Sequence, residues 1–188
     1  MAISLHPASF QPAYDGDKFQ ELLLYITSAC ADDPRFGATK LNKILFFSDF
    51  LAYGRLGKAI TGASYQKLPF GPAARATLPA MKALETSGHA EMIECDFFGN
   101  RQKRLVAKRE PNLSAFSPEE IAIVDRVIKA LWKATAKGVS VFSHEESIGW
   151  KLAGLKEDIP YQTVFLSPRQ PSIEDFDRGK ELAEQHGW

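Results

Sequence analysis

His144-Glu145-Glu146 places an imidazole beside two carboxylates, the side chains used for metal binding or proton transfer. A zinc-protease helix needs a second histidine four residues after the first, and position 148 is Ile148. The other histidines are scattered: His6 and His186 lie near the ends, and His89 stands alone. Together with two isolated cysteines, Cys30 and Cys95, they form no spaced ligand set, so the sequence assigns neither metal nor cofactor. A Cys30–His144 nucleophile–base pair would require the fold to join two distant positions, and a lone cysteine on an apolar helix face is ordinarily core. Gly54, Gly57 and Gly62 follow a helical pattern rather than a strand, which is the wrong context for a phosphate loop.

Cations in an unfavourable place give a second chemical signal. Lys40 and Lys43 fall in the first turns of the segment ATKLNKILFFSDFLAYGRLG, Ala38 to Gly57. A helix dipole disfavours cations there by roughly 0.3–1 kcal/mol each. Either the lysines are simply solvated, or they serve an acidic partner. The segment is apolar almost all round. Leu41, Ile44, Leu45 and Leu51 occupy one face and Phe46, Phe47, Phe50 and Tyr53 the other, leaving a polar strip through Asn42 and Asp49. Such a helix belongs inside a core, with Leu45, Phe46 and Leu51 nearly inaccessible.

The surrounding elements follow from pattern. Asp17 can cap a helix carrying Phe19, Leu22, Leu23, Ile26 and Cys30 on one stripe. Ser64 to Pro69 suits a short strand, and Phe70-Gly71-Pro72 a turn into a helix with Pro72 at its first position. Pro79 then predicts a kink near Thr77. Ala90 to Phe97 and Arg101 to Lys108 flank Phe98-Gly99-Asn100 as a hairpin, with Glu91, Glu94 and Asp96 facing Arg101, Lys103 and Arg104. Ser117-Pro118-Glu119-Glu120 is a capping box opening a helix expected to end at Lys137-Gly138. A helical stretch broken at Gly149, an IPYQTVF segment (Ile159 to Phe165) that is either a short strand or an extended connection, and a last helix from Ile173 to His186 complete the chain.

The whole reads as a predominantly helical α+β domain with a small antiparallel sheet and a winged-helix-like first half. The expected division is an N-terminal arm (1–16), the main domain (17–167) and a C-terminal helical extension (168–188). Twenty-three basic residues balance 23 acidic ones, so charge directs the protein to neither nucleic acid nor membrane. The N-terminus lacks a signal-peptide pattern, no apolar run is long enough to span a membrane, and two cysteines make no disulfide framework. A reducing cytoplasm, with both thiols buried, is the expectation. Helix, strand, turn, strand is also the order of a winged DNA-binding domain. The helix in the recognition position offers only Arg75, Thr77 and Lys82 among alanines, whereas base reading wants several Arg, Asn or Gln on one face.

Three segments in order resemble the Panacea, or SocA-like, antitoxin domain. Lys40-Leu41-Asn42-Lys43-Ile44-Leu45-Phe46-Phe47 is similar to the family's Lys-Leu-x-Lys-Leu-Leu-Tyr-Phe helix. Phe70-Gly71-Pro72 matches its aromatic-Gly-Pro turn, and Ser143-His144-Glu145 with Trp150-Lys151 its Ser/Thr-His-Glu and Trp-Lys pair. The similarity runs from about Phe19 to Phe165. It implies a non-enzymatic protein of a bacterial or phage-associated toxin–antitoxin system, which neutralises a toxin encoded nearby by binding it and can act as adaptor to a Clp-type protease. On this reading Lys40, Lys43, His144 and Glu145 are candidates for partner binding. Leu41, Phe46, Gly71, Pro72 and Trp150 are structural, with the Trp150 indole N–H paired to a backbone carbonyl and His144 orienting the Trp150 segment. A winged-helix transcription regulator is the alternative, and a small hydrolase the third.

Overall fold

The structure, a computed structural model, describes residues 12–97, 100–166 and 173–187. Its centre is α2 (Ala38–Leu56), with Leu41, Ile44, Leu45, Phe46, Phe50 and Ala52 all buried. Leu51, expected to be inaccessible, is half-buried beside Phe47 and Tyr53, because that flank lines an open cleft rather than the core. Gly57 ends the helix at φ 72°, a left-handed conformation that glycine adopts without steric penalty.

Around α2 pack α1 (Gly16–Ala29) and α4 (Pro118–Leu131). The cap of α1 is Asp15 rather than Asp17: its carboxylate accepts from the Lys18 N–H at 2.9 Å, leaving Asp17 in the first turn. In α4 the capping box forms as its spacing requires, with Ser117 Oγ accepting from the Glu120 amide and the Glu120 carboxylate accepting from the Ser117 amide. Lys18 then closes on Glu120 at 2.8 Å, tying α1 to α4.

Two antiparallel hairpins complete the framework. In the first, β1 (Tyr65–Leu68) pairs with β2 (Gly71–Ala74). Here the expectation fails: Pro72 sits in a strand, and α3 (Thr77–Thr86) begins five residues later. A proline is tolerated because β2 is an edge strand of a two-stranded sheet. Pro79 lies in the first turn of α3, where no intrahelical hydrogen bond is lost, and so produces no interior kink. The second hairpin pairs β3 (Ala90–Phe97) with β4 (Asn100–Ala107), Glu94 opposite Lys103. Of the expected charge pairing, Glu94 has Arg101 and Lys103 at 3.9 and 4.0 Å. Glu91 pairs instead with Lys108 at 2.5 Å, Arg104 turns away to the Cys30, Ala31 and Asp33 carbonyls, and the Asp96 side chain lies outside those described. The predicted Phe98-Gly99 turn lies outside the described residues.

Beyond α4 the chain departs from the sequence pattern. The helix stops at Leu131, and Lys137 and Gly138 belong to the first turn of α5 (Ala136–Glu146), capped by Thr135. The later break falls at Ser147, which caps α6 (Ile148–Leu152) with its side chain, so Gly149 is helical. The IPYQTVF segment is a 3₁₀ turn over Tyr161–Phe165, although the Ile159 amide still bonds the Tyr65 carbonyl at 2.7 Å. A final helix, α7, spans Ile173–His186.

Asp49 lies at the bottom of the core, fully buried. It accepts from the Thr61 amide, the Thr61 hydroxyl and the Tyr65 hydroxyl at 2.6–2.8 Å. Burial pushes its carboxyl above the ordinary value, against the pull of those hydrogen bonds. The aromatic nest of Phe46, Phe50, Tyr65 and Tyr161 packs next to it, Phe50 and Tyr161 stacking at 4.6 Å. No helix of the described residues is long and apolar enough to cross a membrane.

Candidate functional site

The three motif segments, separated by tens of residues in the chain, meet in one place. Lys43 of α2 reaches its ammonium to the Pro72 carbonyl at 2.9 Å. Gly71, at φ 99°, lets the β2 backbone pass close by. A Cβ there would fall 2.5 Å from Ser143 Oγ and 2.7 Å from Lys43 Nζ, so a side chain at this position is strained by conformation and forces those two side chains to shift. Ser143 heads the Ser-His-Glu run on α5, and its hydroxyl donates to the Ser140 carbonyl at 2.8 Å.

Next to this contact, His144 lies face to face with Trp150, ring centroids 3.8 Å apart and planes 8° from parallel. Trp150 donates its indole N–H to the Leu68 carbonyl at 3.2 Å, which joins α6 to β1. Lys67 crosses the other ring contact, its ammonium 4.5 Å from the Trp150 centroid and bonded to the Ala153 carbonyl. His144 Nε2 is buried without a hydrogen-bond partner. Burial, then the charges of Lys43 and Lys67, lowers the His144 pKa and favours the neutral ring. Glu145 is exposed, and Leu41 and Phe46 are core.

The lysines are not where the sequence put them. Lys40 is 1% and Lys43 2% exposed, so neither is solvated and neither presents its ammonium to a partner. Lys40 pairs with Asp33 at 2.7 Å inside the protein. Burial alone would raise the Asp33 carboxyl; the Lys40 hydrogen bond and the amides of Arg35 and Lys133 carry it below the usual value. Lys43 has only a carbonyl, and burial pulls its pKa down to about 8. Sequence reasoning missed Asp33 and Lys67, which no pattern marks.

The candidate nucleophiles and base are not joined by hydrogen bonds among the described residues. The Ser143 hydroxyl donates to the Ser140 carbonyl rather than to His144, whose Nε2 has no partner among the described residues. Cys30, also 1% exposed, has its thiol pushed up to about 12 by burial first and then by Asp33, and it makes no hydrogen bond with His144. Cys95, expected to be buried, is half-buried on the hairpin. Among the described residues no group of three or more His, Cys, Asp or Glu is placed to hold a metal ion.

The winged-helix alternative also loses its reading residues. Arg75 is bound to Asp158, Gln66 and the Lys156 carbonyl, and Thr77 is buried against Asn42. Arg75 is exposed but precedes α3, and of the two that lie on the helix only Lys82 is exposed.

A family model described as antitoxin SocA-like, Panacea domain, matches residues 41–151, more than half of the chain. The protein belongs to the SocA-like Panacea family. Neither a search of curated proteins nor one of solved structures gives a match. The Panacea match begins on α2 and ends at Lys151 of α6, so it contains Lys43, the Gly71-Pro72 strand and the His144–Trp150 stack. Two apolar surfaces border this Panacea core. Phe70, Leu152 and Leu155 stand 73%, 72% and 62% exposed around the Trp150 corner. An apolar cleft of about 330 Å³ opens between α2, α4 and α5, with Phe47, Leu51, Phe142 and Ile148 in its walls.

Proposed function

We propose that this Panacea protein neutralises a toxic protein encoded nearby by binding it directly. The observation that carries the reading is the family match across residues 41–151, which contains the whole motif junction. The junction turns its polar groups inward and leaves Phe70 and Leu152 outside, and exposed apolar side chains of that size favour a protein contact. Glu145 contacts the partner at the rim, and His144 acts through its stack on Trp150. No turnover is needed, because covering the toxin suffices.

The experiment is co-expression with the adjacent reading frame, scoring growth and co-purification. Wild-type protein rescues growth and carries the partner with it. Phe70→Ser with Leu152→Ser loses both while keeping its melting temperature, since both side chains are exposed. A wild type that neither rescues nor copurifies refutes the reading, and a double variant that rescues fully moves the surface elsewhere. The protein acts in the cytoplasm on this account. Toxin half-life with and without a Clp-type protease then separates neutralisation by cover from delivery for destruction.

A further inference from the structure

A second cleft, of about 540 Å³, lies where α2 and α5 begin, walled on its third side by residues 101–103 of β4. Among the described residues its lining includes Arg35, Lys40, Arg101, Lys103 and Lys137 and no aspartate or glutamate, in a chain whose formal net charge is zero. Lys40 is neutralised from within by Asp33. The other four cations are exposed, the side chains of Arg101 and Lys103 at 87% and 70%. Among the described side chains the carboxylate paired with Arg101 and Lys103 is Glu94, at 3.9 and 4.0 Å and itself 53% exposed, which is too loose and too solvated to cancel them. Arg35 is held at the rim by its bond to the Lys133 carbonyl, and Gln102 at the floor by its bond to the Phe36 carbonyl. No aromatic ring of the described residues lines the space.

We propose that this cleft binds an oligophosphate group, either free or as the charged end of a nucleotide. A single carboxylate would leave most of the four cations unneutralised, whereas an oligophosphate carries several charges on adjacent groups and accepts from Arg and Lys at many oxygens. The volume suits a small ligand rather than a lone ion. Gly37 caps α2 without a side-chain hydrogen bond, so the first amides of that helix add donors to the same wall. The described lining offers cations and no ring to stack on, so the phosphates are the group it recognises.

The test is calorimetry on the full chain at low salt with inorganic triphosphate, ATP and adenosine, repeated for Lys103→Glu with Lys137→Glu. Triphosphate and ATP should bind with affinities within about threefold of each other and adenosine not at all, with binding weakening as salt rises. The double variant should lose at least about tenfold toward both phosphates while melting at the wild-type temperature. The proposal is overturned if triphosphate gives no binding, if the double variant binds it as the wild type does, or if adenosine binds alone. A single-stranded oligonucleotide that binds far more tightly than triphosphate and is lost in the same variant would also overturn it, assigning the cleft to nucleic acid.

Discussion

Lys40 and Lys43 stand on neighbouring turns of α2, both removed from water, yet the protein treats their charges differently. Lys40 meets Asp33 at 2.7 Å, and Asp33 is held in turn by the amides of Arg35 and Lys133, so one ion pair ties α2 to the loop after α1 and the turn after α4. Lys43 meets a single carbonyl, that of Pro72, and keeps its proton less firmly for it. The difference shows what burial demands. A cation in a low-dielectric interior is stable when a carboxylate and its donors come with it, and becomes a readily neutralised amine when only a dipole does. The same contrast explains the unfavourable position of both residues at a helix start: each is fixed by a tertiary contact stronger than the dipole penalty.

The largest effect should come from breaking the matched pair. Lys40→Met leaves the Asp33 carboxylate buried without its cation, and should destabilise the fold by about 3–5 kcal/mol. The denaturation midpoint in urea measures it; a midpoint that hardly moves would mean that Asp33 finds water and the pair is dispensable. Gly71→Ala comes next, because it combines a left-handed φ with a methyl pressed against Ser143 and Lys43, at about 1–3 kcal/mol. Unchanged stability there would show that β2 can back away from α2.

Lys43→Met should have the smallest effect, within about 1 kcal/mol at neutral pH, since it replaces a buried cation lacking a carboxylate by an apolar chain of similar shape. The pH profile sharpens the point. Between about 8, the folded value, and 10.5, the ordinary one, the unfolded chain holds more protons than the folded one. Stability contributed by neutral Lys43 is therefore lost as pH falls through about 8 and is complete above 10.5. Buried Cys30 and the tyrosines oppose this in the same range, because unfolding lets them ionise. The readout is the wild-type minus Lys43→Met difference, which should rise with pH across that window; a flat difference would place Lys43 in water.

Local chemistry was legible in the sequence where neighbours in the chain decide the outcome. The Ser117–Glu120 box and the Glu94 pairing with Arg101 and Lys103 follow from spacing, whereas the Trp150 indole needs a carbonyl by its chemistry and finds it far along the chain, on Leu68. The motif segments were visible too, but their meeting point was not. Pro72 looked like a helix start because proline favours that place, whereas pairing with β1 and the Lys43 contact hold it in a strand. The Lys40–Asp33 pair crosses a loop and leaves no periodic trace, so the lysines read as surface charges. Gly149 resembled a breaker, yet its missing side chain accommodates Thr163 and Ile159 inside a short helix that Ser147 starts.

The central claim is that this Panacea protein acts by occupying a partner. It is tested most directly by titrating the purified product of the adjacent reading frame with the purified protein, in the absence of protease, and following the toxic activity. The account predicts a linear fall to an endpoint at a fixed molar ratio, with the Phe70→Ser, Leu152→Ser variant leaving the activity intact. Activity that survives an excess of wild-type protein, or that disappears at a small fraction of the toxin's concentration, would contradict it.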